Sequence, residues 1–97
     1  MDTRIEAFLT DTLALEGEAT NVIGEKVRSY LAVYEKQFRD AETNKRMKDT
    51  AARVSRRLCR ARVVEEIPRN RGTPTAEHLR IVLGVIDDVV RFPLQDD

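Results

Sequence analysis

Met47-Lys48-Asp49-Thr50-Ala51-Ala52-Arg53-Val54-Ser55-Arg56-Arg57-Leu58-Cys59-Arg60-Ala61 is the stretch whose reading decides the fold of this chain. Met47, Ala51, Val54, Leu58 and Ala61 follow one another in alternating steps of four and three, the spacing that lines side chains up along one side of an α-helix. Arg53, Arg56, Arg57 and Arg60 then share the opposite side, and Arg46 extends their patch. The spacing predicts a helix over about 45–67, with the aliphatic stripe turned to the core and the guanidinium groups turned to solvent. It has to yield before Pro68, whose ring disfavours a helical residue ahead of it.

Towards the N-terminus, Ile23, Val27, Tyr30, Tyr34, Gln37 and Ala41 recur at helical steps, and Leu31 and Phe38 widen the stripe. They predict a helix over about 21–43, started at Thr20 or Asn21, with a near-heptad seam suited to packing on another helix. Neither Gly nor Pro occurs between Gly24 and Pro68. Ala41 and Ala51 nevertheless lie out of phase by roughly 80° at 3.6 residues per turn, which favours a helical hairpin bending near Thr43; one long helix is the alternative, because Lys45 and Arg46 suit a helix C-terminus better than an N-terminus. Earlier still, Ile5, Phe8, Leu9 and Thr12 predict a helix over about 3–16. Thr3 and Glu6 stand at capping-box spacing, and Gly17 suits the position beyond its end.

Beyond the arginine-rich segment, Gly72-Thr73-Pro74 reads as a cap followed by Pro at the first helical position. A helix over about 74–91 follows, with Leu79, Val82, Leu83, Ile86, Val89 and Val90 on one face and Ile81, Val85 and Phe92 broadening it. Pro93 then closes the pattern. The expected fold is all-α: one domain over 1–97, a bundle of three or four helices around a central hairpin. The second and fourth helices carry more apolar stripe than a small bundle hides, so a homodimer or a protein partner is expected to cover Tyr30, Tyr34, Val82, Ile86 and Val89.

The chain has 97 residues, 41% of them hydrophobic and 35% charged, which fits one globular core. Lone Cys59 cannot form an internal disulfide, Met1-Asp2-Thr3-Arg4 does not open a secretory signal, and the apolar run Ile81 to Ile86 is far short of a bilayer span. A cytoplasmic protein that does not enter membranes is expected. The 17 bases and 17 acids cancel, but they are segregated. Residues 1–44 hold five bases against nine acids, residues 45–71 ten against three, and residues 72–97 two against five.

The basic central block is the chief candidate for chemistry. Arg53, Arg56, Arg57 and Arg60 on one helical face, with Arg69 and Arg71 ahead of the fourth helix, offer several bidentate contacts to phosphate or another anion. Against a nucleic-acid reader stand the acids elsewhere in the chain, which can pair with these arginines, and the lack of an aromatic residue between 39 and 91 to stack on a base. His78 is the only histidine and Asp87-Asp88 diverge on a helix, so neither a metal site nor an acid–base pair is expected. Without cofactor or catalytic constellation, the expected function is a non-enzymatic regulatory module acting through helix–helix contacts, with a DNA- or RNA-binding regulator as the alternative. Cys59, ringed by arginines, reads as a small packing residue, or as a thiol those charges would activate.

Overall fold

In the computed structural model, residues 2–91 are described, Arg91 by its backbone alone; Phe92 and Pro93 lie outside them. Four α-helices follow in order: α1 Thr3–Leu13, α2 Thr20–Ala41, α3 Lys48–Glu66 and α4 Pro74–Arg91. Single 3-10 turns at Lys45–Met47 and Pro68–Asn70 precede α3 and α4. No strand occurs among the described residues, and the helices pack on one another as a small bundle.

The local chemistry explains the ends. The cap of α1 is Asp2, not Thr3: its carboxylate accepts from the Arg4 backbone N–H at 2.9 Å, a better use of the last non-helical position. The α1 helix stops at Leu13, short of the expected 16, and Gly17 (φ +94°) turns the chain in the left-handed region. The hairpin forms where it was expected. After Ala41, Glu42 accepts from the Asn44 N–H and Asn44 from the Arg46 N–H, both at 3.0 Å. Lys48 then donates its ammonium to the carbonyls of Arg39 and Glu42 at 3.1 and 2.7 Å. One lysine at the start of α3 thus caps the end of α2, bonding the Glu42 carbonyl and adding a second bond to the Arg39 carbonyl, which also accepts from the Glu42 N–H at 3.2 Å.

Pairings across helices establish the topology. Arg4 lies over the Phe38 ring at 3.7 Å and Tyr34 donates to Asp11 at 3.0 Å, so α1 and α2 run antiparallel. Glu35 meets Arg56 and Arg39 meets Asp49, so α2 and α3 do too. Arg60 meets Asp87, and Arg57 shares a cavity with Val90, which sets α4 against α3. The chain runs up, down, up and down.

The core is aliphatic around Phe8, Val27, Leu31, Val63, Leu79, Val82 and Ile86, all nearly or fully buried. Phe8 meets Tyr34 edge to face at 6.0 Å, a favoured aromatic geometry. Buried His78 reaches from α4 to the Thr12 carbonyl at 2.7 Å, with Nε2 the donor since a carbonyl only accepts. That carbonyl is among the last of α1, so the only histidine is a tie between helices.

The arginines of α3 differ in burial, and stability should follow. Arg62 is 12% exposed and bonds Glu6 at 2.6 Å and Glu66 at 2.8 Å, whereas Arg60 and Asp87 are each 45% exposed. Methionine keeps most of the stem and removes the charge. Urea unfolding near neutral pH is expected to show Arg62→Met destabilised by about 1.5–3 kcal/mol. Arg60→Met should lose under about 1 kcal/mol. The opposite ranking would contradict the fold's account of these pairs.

Candidate interaction surface

The α3 helix turns a different side inward from the one its large residues suggest. Its buried side chains are Ala52, Ser55, Cys59 and Val63. Of the aliphatic stripe expected in the core, Ala51 is half-buried, Ala61 is exposed, and Met47, Val54 and Leu58 stand 43%, 39% and 40% exposed. At 100° per residue the two rows are about a third of a turn apart. The reason is packing distance. The α3 helix touches all three other helices, and an inward row of small residues lets their backbones approach closely, where Leu and Met would hold them off. The Ser55 hydroxyl is satisfied locally, donating to the Ala52 carbonyl at 2.8 Å.

The arginines do not form a single outward patch either. Arg56 is 13% exposed and donates to Glu35 of α2, Arg60 to Asp87 of α4, and Arg62 to Glu6 of α1. Arg69 is held by Glu65 at 3.3 Å and Glu66 at 3.2 Å. Its guanidinium is therefore occupied beside its own helix end. The expected grouping of Arg53, Arg56, Arg57, Arg60, Arg69 and Arg71 on one anion-binding face thus breaks up. Among the described residues, Arg53, Arg57 and Arg71 have no acidic partner. Arg53 and Arg57, one turn apart, line a cavity of about 190 Å³ with Arg56 and Val90. Arg53 and Arg56 also border a cavity of about 250 Å³ with Arg39, Asp49 and Ala52.

The residues expected to meet a partner are used within the chain. Val82 and Ile86 are fully buried, Val89 and Tyr34 nearly so, and Tyr30 packs half-buried at the edge of the core. Most of the wide faces of α2 and α4 is buried in the bundle, where α1 and α3 cover them, while Ile81 and Val90 of the α4 face stay exposed. Burial pushes the Tyr34 phenol up to about 12, and the hydrogen bond it donates to Asp11 adds to this.

The surface that remains runs along α3. Val54, Leu58 and Ala61 follow one another on its outer side, with exposed Met47 in the 3-10 turn ahead of it and exposed Val64 near its end. A shallow cavity of about 200 Å³ opens beside Leu58 and Ala61, walled by Ile5 and Glu6 of α1 and rimmed by Arg62 and Glu65. Other exposed aliphatic residues, Val33, Ile81 and Val90, lie on α2 and α4. Scattered apolar residues on a surface are ordinary, and a contiguous apolar row is less so. The sequence carries a signal for this division. Both rows lack charge, and only the small-residue row, Ala52, Ser55, Cys59 and Val63, suits a crowded interior.

No group of three or more His, Cys, Asp or Glu among the described residues is placed to hold a metal ion, and no described helix is long and apolar enough to cross a membrane. Compared with protein-family models, curated proteins and solved structures, the chain matches none.

Cys59 is 1% exposed, and burial, with the Glu35 charge second, pushes its thiol up from 9.0 to about 12. The arginines around it do not activate it. The folded thiol should resist Ellman's reagent at pH 8 and react fully once urea unfolds the chain. Its contribution to stability is fully present below pH 9, where both states keep the proton. As pH rises towards about 12 the unfolded thiol ionises first, so stability falls. Alkaline unfolding curves should therefore be shallower for Cys59→Ala.

Proposed function

We propose that this chain is a non-enzymatic regulatory module that docks a partner helix along the outer side of α3. The observation that carries this reading is the seam of Met47, Val54, Leu58 and Ala61, spaced as in a heptad and left outside the core. The cavity beside Leu58 suits one anchoring aliphatic side chain of a partner, the kind of central contact that dominates binding. The docking residues proposed are those of α3 in place of Tyr30, Tyr34, Val82, Ile86 and Val89. A cytoplasmic setting is proposed with it, since the lone, buried Cys59 needs no oxidising compartment.

Recognition of DNA or RNA is the second reading. It rests on Arg53 and Arg57, with Arg71, having no acidic partner among the described residues. It is the weaker one because the carboxylates of Glu35, Asp87, Glu65 and Glu66 already engage Arg56, Arg60 and Arg69.

The double variant Val54→Glu/Leu58→Glu separates docking from folding. Circular dichroism should show helix content retained and a melting temperature within a few degrees of the parent, as expected for surface positions. A partner helix captured with the parent should protect amides of residues 47–64 from exchange and should not bind the variant. If the variant unfolds, the seam belongs to the core. If it binds unchanged, docking lies elsewhere. For the second reading, a salt titration against duplex DNA and single-stranded RNA should give no binding at low salt. Binding that Arg53→Ala and Arg57→Ala each weaken, flattening the log–log salt slope by about one unit apiece, would replace docking by nucleic-acid recognition.

A further inference from the structure

The seam on α3 has two unlike borders. On one side lie Arg53 and Arg57, a turn apart and without an acidic partner among the described residues. On the other lies Arg62, whose guanidinium is held by Glu6 at 2.6 Å and Glu66 at 2.8 Å. Glu65, further along, faces Arg69 at 3.3 Å. One border therefore presents two guanidinium groups that form no ion pair among the described residues, with Asp49 in the cavity beside Arg53, and the other, Arg62 and Arg69 against Glu6, Glu65 and Glu66, carries one net negative charge.

Resting on the docking reading above, we infer that the partner is an amphipathic helix carrying carboxylates along one flank. Its aliphatic residues lie on Val54, Leu58 and Ala61, and its acidic flank lies against Arg53 and Arg57. Glutamates one turn apart on such a helix match two guanidinium groups one turn apart on α3, each pair able to form two parallel N–H···O bonds. A partner with a basic flank meets the same arginines with repulsion, so the border selects among helices that the apolar seam alone would accept.

A second copy of this chain fits less well. In a two-fold antiparallel pairing the same flank of each helix faces its counterpart, which sets Arg57 near Arg57 of the other copy. The inference commits to a different, acidic chain.

The test uses the full chain and two synthetic three-heptad peptides with leucine seams, identical except for glutamate or lysine at the flanking positions. Titration calorimetry at low salt should show the glutamate peptide binding at least roughly tenfold tighter than the lysine peptide, with the difference shrinking as salt rises. Arg53→Glu/Arg57→Glu, both exposed positions, should reverse the order of the two peptides. If both peptides bind alike and Leu58→Glu abolishes both, docking on the seam stands and the acidic partner is overturned. If neither binds and sedimentation shows a dimer that Leu58→Glu splits, the occupant is a second copy and the inference fails. If neither binds and the chain is monomeric, the inference falls together with the docking reading. Displacement of a bound glutamate peptide by duplex DNA, matched by direct DNA binding, would overturn the inference in favour of nucleic acid.

Discussion

Three arginines on α3 each reach a carboxylate on a different helix: Arg62 to Glu6 of α1, Arg56 to Glu35 of α2, and Arg60 to Asp87 of α4. This arrangement requires α3 to stand among all three neighbours, and the rest of the structure follows from it. A helix so placed needs a narrow inward face, which Ala52, Ser55, Cys59 and Val63 provide. The stems of Arg56 and Arg62 cover the edges of that face with methylene groups while their heads stay at the rim, so the pairs serve packing as well as charge. In energetic terms the three are unequal, since the Arg60 pair is half in water. In geometric terms they agree, and together they define the rotation of α3 about its axis.

That rotation determines which residues are left for function. With the small residues inside, the larger aliphatic row must face out, and the two arginines beside it, Arg53 and Arg57, form no ion pair among the described residues. Apolar surface and positive charge thus come to lie side by side on one helix as a consequence of how the core is filled. The two wide faces that looked unpartnered in isolation, on α2 and α4, meet inside the bundle through Tyr34, Val82 and Ile86. Exposed aliphatic residues are spread over α2, α3 and α4, with Val54, Leu58 and Val64 on α3.

The four helices, the hairpin near Thr43 and the start of α4 at Pro74 were legible because local signals agree there. These are an aliphatic period of 3.6, a polar stretch out of phase with it, and a Pro where no N–H is needed. The inward face of α1, Ile5, Phe8, Leu9 and Thr12, was legible for the same reason. On α3 the rule that larger apolar residues go inside failed. It measures how much area a side chain could bury and takes no account of how close the neighbouring backbones come.

What the sequence alone determined, then, is the helical kind of the elements and their approximate extents, because those depend on spacing, caps and breakers within a few residues of one another. Tertiary structure alone decided which of two uncharged rows on α3 is inside and which arginines are paired with carboxylates on other helices. Those outcomes depend on distances between residues such as Glu6 and Arg62, or Arg60 and Asp87, that lie far apart along the chain and meet only once the helices have packed.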